Sequence, residues 1–166
     1  MKHLRSLSLA ALVLSVAIPA GAQPKGAGKS VAVDAKTAYD KAKAAAVKWQ
    51  ADAELFGFGN LSTGPVDTEG RSTAWNLKWS SKSAGKMNMM SVNDGVLTTF
   101  EMDGTGGRGI PVKPETLFDS KKLVQMADEA GGAAHRAKGA KVTLGIVASA
   151  VKPGTTLWHV SYAGDD

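Results

Sequence analysis

The sequence predicts an α+β fold in which two helices pack on antiparallel sheet, with the order of helix followed by strands occurring twice. Residues 75–79 and 158–162 alternate large apolar and polar side chains, the pattern of strands that lie on a core. Residues 34–50 and 119–130 carry apolar side chains at helical spacing, and strand patterns follow each of them. We therefore expect one strand design to be used twice, each time after a helix.

Length and composition limit what the chain can be. Its 166 residues, 43% of them hydrophobic, can bury one core or two small ones. The chain has no cysteine, which excludes disulfide bonds, thiolate metal sites and a cysteine nucleophile. A small globular fold without thiol chemistry is therefore expected.

The N-terminal segment, residues 1–22, has the pattern of a secretory signal. Lys2 and Arg5 precede a short apolar run at residues 7–18, and the small residues 20–22 form a cleavage site. The run is too short to span a bilayer comfortably. We therefore expect cleavage, a periplasmic or secreted protein and no stable membrane anchor, with an uncleaved anchor as the alternative.

The charge of the mature chain argues against nucleic acid as a partner. Lys2 and Arg5 are lost with the signal, so cleavage lowers the formal net charge from +5 to +3. That small excess of positive charge is not the basic footprint of a nucleic-acid binder.

After a flexible Gly/Lys linker at residues 23–33, residues 34–102 are predicted to form a first helix-plus-sheet half. Asp34 caps the helix. The buried stripe of this helix consists of Tyr39, Ala42, Ala46 and Trp49. Four strands follow, at residues 53–61, 71–81, 86–92 and 96–102. The last two flank Asp94-Gly95, a strong hairpin signal.

Two groups of side chains in this half suggest chemistry. Asp52 and Glu54 are expected on one strand face, as an acidic pair or, more simply, at a solvated rim. Met87, Met89 and Met90 suggest a soft binding surface, a copper(I) site or filler of a thin core. Period two puts Met90 on the face opposite to the other two. No His or Cys lies near the methionines in sequence, so no metal is predicted.

Residues 103–118 form a Gly/Pro-rich joint, and residues 119–166 form the second, shorter half. Its helix is expected to end at the glycine pair 131–132. A small basic loop at residues 131–140, which carries His135, is expected to follow. The chain is expected to close with strands at residues 142–150 and 154–162.

The two tryptophan-containing strands divide their side chains between two faces of the sheet. Under the helices we expect Trp75, Trp79, Trp158 and Tyr162. The opposite, wet face is predicted to carry Asn76, Lys78, His159 and Ser161. This exposed face, or an edge strand of the sheet, is the predicted contact surface for a partner.

In the placement of helices, strands and aromatic residues, the chain resembles the PepSY-like group of small secreted domains. The resemblance rests on an alanine-striped helix with two strands and on their recurrence, at residues 34–50, 54–61, 71–81, 119–130, 141–150 and 154–163. It implies a protein-binding or protease-inhibiting role in the cell envelope, because such domains occur in envelope proteins and in propeptides of thermolysin-type proteases. A cystatin-like or β-lactamase-inhibitor-like shape is an alternative that fits the same pattern.

No catalytic constellation is visible in the sequence. His135 and His159 lack the spacing of a metal pair, and the chain has no Gly-x-Ser-x-Gly elbow. We therefore predict a non-catalytic module, without cofactor, that binds another envelope or extracellular protein such as a protease. The alternatives are a carrier of a small ligand, with a pocket between helix and sheet lined by the methionine hairpin, and a diverged enzyme of cystatin-like shape.

Overall fold

A six-stranded antiparallel sheet and the helices packed on it form the fold. The structure, a computed structural model, describes residues 30–60, 64–104, 110–113, 119–149 and 151–164. The α+β fold predicted from the sequence is confirmed. Outside the described residues lie the predicted signal and parts of the predicted linker and joint, namely residues 1–22, 23–29, 105–109 and 114–118. No helix among the described residues has the length and apolar content that a bilayer-spanning segment needs.

The strands of the described chain are β1 (Val33–Asp34), β2 (Glu54–Gly59), β3 (Arg71–Ser72), β4 (Ala74–Ser81), β5 (Lys86–Asn93), β6 (Val96–Asp103), β7 (Lys141–Ala148) and β8 (Thr156–Ala163). The helices are α1 (Ala35–Trp49), α2 (Ser120–Ala127) and α3 (Ala133–Ala137), and a π-helical turn joins the last two (Asp128–Gly132). The large sheet has the order β6-β5-β4-β2-β7-β8, and β1 pairs separately with β3. Because β2 and β7 are neighbours, the two predicted halves contribute to one sheet.

Helix α1 covers one face of the sheet, which we call the inner face; the opposite face is the outer face. The Asp34 carboxylate caps α1 by accepting hydrogen bonds from Thr37 N at 2.7 Å and Thr37 Oγ1 at 3.0 Å. The side chains buried beneath the helix are small apart from one tyrosine: Ala35, Ala38, Tyr39, Ala42 and Ala46. The helix predicted for residues 34–50 is confirmed, and its small stripe lets the helix lie close to the sheet.

Aromatic side chains from several elements build the core on the inner face. Phe58 stacks on Trp75 with ring centroids 5.3 Å apart and meets Trp158 edge-on at 5.8 Å. Trp79 stacks on Tyr39 of α1 at 6.0 Å. Both arrangements are favourable for aromatic pairs. Trp75 and Trp79 are buried as the sequence predicts.

Trp158 and Tyr162 are less covered than the sequence predicts. We expected both to lie under a helix, but each is only half-buried. Their strand, β8, is an edge of the sheet, so its side chains have a neighbouring strand on one side only. The second helical segment contacts β8 through Tyr162, whose hydroxyl donates to Asp128 Oδ1 at 2.6 Å.

Two turns determine how β4, β5 and β6 pair. Asp94 and Gly95 have positive φ angles of 48° and 76°, as a two-residue hairpin turn requires, and the predicted hairpin is confirmed. The expectation that Asp52 shares a strand face with Glu54 is wrong, because Asp52 lies in the turn after α1. Its carboxylate accepts a hydrogen bond from Ser81 Oγ at 2.6 Å and so supports the β4–β5 turn.

The second helical segment is longer than predicted. The sequence predicts its end at residues 131–132 and a loop at residues 131–140, but helical residues continue to Ala137. Gly131 has a φ angle of 114° and interrupts the helix only locally, because the alanine-rich residues after it favour helix. His135 therefore lies on α3 and not in a loop.

Candidate functional site

The four residues predicted for a contact surface all lie on the outer face of the sheet, on β4 and β8. Asn76 is paired with Gly59, Gly59 with Gly145, and Gly145 with His159. A row across the sheet is thus formed by Asn76, Gly59, Gly145 and His159, and we call it the glycine row. Three strand spacings separate the backbones of Asn76 and His159, or about 14 Å. The structure therefore gathers these two side chains on one face without bringing them into contact.

Lys78 and Ser161 lie on opposite sides of the glycine row. Strands β4 and β8 are antiparallel to each other, since each neighbouring pair from β4 through β2 and β7 to β8 is antiparallel. A step of two residues from Asn76 to Lys78 therefore runs opposite to the step from His159 to Ser161. The predicted residues consequently form a broad surface and not a compact cluster.

Local hydrogen bonds orient the polar members of this surface. Asn76 Oδ1 accepts from Ser91 Oγ at 2.7 Å on the neighbouring strand β5. His159 Nε2 and Ser161 Oγ are 2.6 Å apart. Lys78 is exposed, and within the described part of the chain its ammonium group has neither a hydrogen bond nor a carboxylate partner. Its ammonium group is therefore available to an anionic group of a ligand or partner.

Close strand approach leaves no room for a side chain at Gly59 in the middle of the glycine row. A Cβ atom at Gly59 would lie 2.6 Å from the carbonyl oxygen of Leu144 and 2.8 Å from the Cα atom of Gly145. Asn60 continues the junction beyond the row: its backbone N donates to Leu144 O at 2.9 Å, and its Oδ1 accepts from Leu144 N at 2.7 Å. The junction is tight, and both of its glycines are buried.

A cavity of about 280 Å³ opens beside the glycine row, between β2 and β7. Strands β2 and β7 are paired at Gly59 and Gly145. From this pair towards Glu54, β2 and β7 separate. The lining residues are Phe56, Gly57, Phe58, Gly59, Asn76, Lys78 and Ile146. A Cβ at Gly57 would lie 3.3 Å from Lys78 Cδ, so the aliphatic part of the lysine rests on this glycine.

A second, smaller cavity of about 150 Å³ lies next to the first on the outer face. It shares Phe56 and Lys78 with the first cavity, and its other lining residues are Met87, Asn88, Met89 and Met102. Met90, in contrast, is fully buried in the core. The predicted alternation of Met87, Met89 and Met90 between the two faces of the sheet is therefore confirmed. Met102 lines the same cavity as Met87 and Met89, and sequence reasoning missed it.

A third cavity, of about 320 Å³, lies under α1 on the inner side of the sheet. Its lining residues are Tyr39, Lys43, Val47, Ala53, Glu54, Leu55, Trp79, Pro111, Val112 and Lys113. The expectation that the methionine hairpin would line a pocket between helix and sheet is wrong, because Met87 and Met89 face the other side. Trp79 Nε1 is buried and has no hydrogen-bond partner within the described ranges.

A cluster around Asp128 was also missed by sequence reasoning. Arg136 Nε lies 3.3 Å from Asp128 Oδ2, and the Tyr162 hydroxyl donates to Oδ1. Burial, followed by this hydrogen bond, raises the pKa of Tyr162 to about 12. A Cβ at Gly132 would overlap the Tyr162 hydroxyl, so glycine at this position makes the contact possible. The cluster connects the second helical segment to β8. In the sequence, its only sign is that Asp128 and Arg136 are eight residues apart.

The two histidines of the described residues lie in different surroundings. His159 is hydrogen-bonded to Ser161 on the same strand, while His135 lies beside Tyr162 with ring centroids 6.1 Å apart. No group of three or more His, Cys, Asp or Glu side chains in the described ranges is arranged to hold a metal ion. Comparison with known proteins found no matching family model, no matching curated protein and no matching solved structure.

Proposed function

We propose that the protein is a non-catalytic binding module of the cell envelope that holds another protein on the outer face of its sheet. The observation that carries the proposal is the glycine row with its flanking cavity. Asn76, Lys78 and His159 lie around the buried pair Gly59 and Gly145. Because the two glycines are buried, a partner would contact the polar side chains around them and the open cavity beside the row.

The dimensions of this surface favour a macromolecular partner over a small molecule. The backbones of Asn76 and His159 are about 14 Å apart, and the cavity beside the row is open to solvent on the outer face. Small-molecule sites, by contrast, enclose most of their ligand. An extended or flat protein surface can contact both ends of the row at once.

The composition of the surface favours a partner with acidic groups. Lys78 is exposed without a carboxylate partner among the described residues, and His159 is exposed at the other end of the row. The N-terminal pattern of residues 1–22 supports a periplasmic or secreted location. The resemblance to PepSY-like domains supports an envelope protein, such as a protease, as the partner.

The proposal is tested by affinity capture from an envelope extract. The tagged full-length chain is expressed with residues 1–22, so that export and cleavage can take place, and captured proteins are identified by mass spectrometry. The double variant Lys78→Glu/His159→Glu reverses the charge of the outer face. We expect a specific partner to be captured by the wild-type chain and lost with this variant.

A matched control changes the same residue types elsewhere. The variant Lys138→Glu/His135→Glu alters the charge at α3 and leaves the outer face intact. It is expected to capture the partner as the wild type does, and circular dichroism checks that both variants fold. Equal loss of the partner from both variants, or equal retention by both, would contradict binding at the outer face.

A second candidate function, a carrier of a small ligand, is favoured by one specific observation. The cavity of about 320 Å³ under α1 is lined by Trp79, whose buried Nε1 has no hydrogen-bond partner among the described residues. A buried donor of this kind reduces the stability of the fold unless a hydrogen-bond acceptor satisfies it. A ligand whose binding opened access to Nε1 and supplied a hydrogen-bond acceptor would do so.

Native mass spectrometry of the purified chain separates the two candidates. A carrier would retain a small molecule of defined mass, and Ala53→Trp, which fills part of this cavity, would release it. The outer-face variant Lys78→Glu/His159→Glu would leave that molecule bound. Absence of any bound molecule, together with a captured protein, would leave the binding module as the supported function.

A further inference from the structure

Three methionines from two strands meet on the outer face of the sheet. Met87 of β5 pairs directly with Met102 of β6, and Met89 follows Met87 on the same face. All three line the cavity of about 150 Å³ beside Phe56, and all three are half-buried. The thioether groups therefore lie at the surface of one shared depression, open to solvent.

The strand geometry allows the three sulfur atoms to converge. Residues directly opposite in an antiparallel pair have Cβ atoms about 4.5–5.5 Å apart, and diagonal neighbours about 7–8 Å apart. Met87 and Met89, two residues apart on one strand, are separated by about 6.6–6.8 Å. Methionine has several rotatable bonds between Cβ and its methyl group. The sulfurs of such a triangle can reach one point above its centre.

Thioether groups have a narrow metal preference. They are neutral, soft ligands, which select Cu(I) over the harder divalent cations that carboxylates and carbonyl oxygens bind. We propose that Met87, Met89 and Met102 form a surface site for Cu(I). The three methionines lie outside the glycine row, but Lys78 belongs both to the protein-binding surface proposed above and to the lining of this site.

Two neighbouring side chains have opposite effects on the affinity of this site for a cation. Phe56 lines the same cavity, and the face of an aromatic ring attracts a cation. Lys78 also lines the cavity, and its ammonium group repels a cation. Because Lys78 is exposed, its charge can turn towards water and is screened there. Lys78 thus lowers the affinity of the site without blocking it.

The first test uses Ag(I), a soft monovalent probe that does not change oxidation state. The purified chain is titrated with Ag(I) in chloride-free and thiol-free buffer by isothermal calorimetry, and native mass spectrometry gives the stoichiometry. We expect one Ag(I) per chain. Met102→Leu should weaken binding by at least about 10-fold, the loss that even an outer-shell partner causes in metal sites. The triple variant Met87→Leu/Met89→Leu/Met102→Leu should abolish binding.

The chain offers matched controls for each part of the site. Met126→Leu removes an exposed methionine on α2, and Met90→Leu removes the buried one between Met89 and Ser91; neither should change Ag(I) affinity. Methionine-to-leucine changes conserve volume and are well tolerated, and circular dichroism verifies folding. Lys78→Gln should tighten Ag(I) binding.

Several outcomes would overturn the inference. Wild-type chain that binds no Ag(I), or a triple variant that binds it with unchanged affinity, would exclude the thioether site. Anaerobic competition with a Cu(I) chelator completes the test. Wild-type chain that binds Ag(I) but takes up no Cu(I) would contradict the proposed identity of the metal.

Discussion

Gly59 and Gly145 face each other at the register pair that joins β2 to β7, at the boundary between the two predicted halves. The two tryptophan-containing strands are arranged equivalently about this pair: Asn76 lies opposite Gly59, and His159 lies opposite Gly145. One residue before each of these, a tryptophan contacts Phe58 from either side. The repeated strand design in the sequence thus corresponds to two strands that flank one glycine junction.

Replacing Gly59 by alanine should destabilise the fold strongly. The new Cβ would lie 2.6 Å from Leu144 O, and backbone cannot move away as a flexible side chain can. We expect the free energy of unfolding to fall by about 1–3 kcal/mol, the usual range for overpacking. Gly57→Ala is the matched control, because its Cβ would meet only the flexible Lys78 side chain at 3.3 Å. Urea unfolding measures both, and equal losses would contradict a rigid junction at Gly59.

Replacing Asn88 by leucine should stabilise the protein. Asn88 is 5% exposed and lies opposite Trp79 in the register of β4 and β5. Its Oδ1 is buried and has no hydrogen-bond partner in the part of the chain that the structure describes. An unsatisfied buried polar group costs about 1–3 kcal/mol, and leucine removes it at similar volume. We expect thermal unfolding to shift upward. The control is Asn76→Leu, which loses the hydrogen bond from Ser91; a gain of the same size there would contradict the explanation.

Asp52 should make the stability of the protein depend on acid pH. Hydrogen bonds, first from Ser81 Oγ and next from Ser83 N, lower the pKa of Asp52 from 3.8 to about 2. Because the folded pKa lies below the unfolded one, the carboxylate stabilises the fold above about pH 4, and this contribution is lost as the pH falls towards 2. Asp52→Asn should lower stability at neutral pH and flatten its decrease across that window.

Denaturant unfolding at a series of pH values measures this effect. Ser81→Ala removes the main donor and should reproduce much of the change in slope. A variant Asp52→Asn with the wild-type dependence between pH 4 and pH 2 would show that other carboxylates account for acid unfolding in that range.

Tyr162 should couple stability to alkaline pH with the opposite sign. Its pKa is raised from 10.0 to about 12, so folding favours the neutral phenol. The contribution is complete below about pH 10 and is lost as the pH rises through 12. Tyr162→Phe should reduce the free energy of unfolding at neutral pH by about 1 kcal/mol, as expected for a hydrogen bond. It should also remove the late-ionising component of the ultraviolet titration; persistence of that component would assign it to Tyr39.

Much of the local structure was predictable because its causes are local. The Asp34 cap, the alanine stripe of α1 and the positive-φ hairpin at Asp94-Gly95 each depend on neighbours within a few residues. The expected end of the second helix at residues 131–132 was wrong, because glycine favours an end but does not impose one. The contact of Tyr162 with Asp128 holds the kinked segment in place from 34 residues away.

The sequence by itself determined the main strands, the first helix and the face that residues of the tryptophan-containing strands take, because a period of two or 3.6 residues fixes side-chain direction. It thereby put Asn76, Lys78, His159 and Ser161 on the exposed face. Only the tertiary structure decided which strands are neighbours. The opposition of Gly59 and Gly145, the approach of Met102 to Met87 and the unpartnered atoms of Trp79 and Asn88 all depend on that order. Pairing between distant strands is selected by the packing of the whole core, and no single stretch of sequence encodes it.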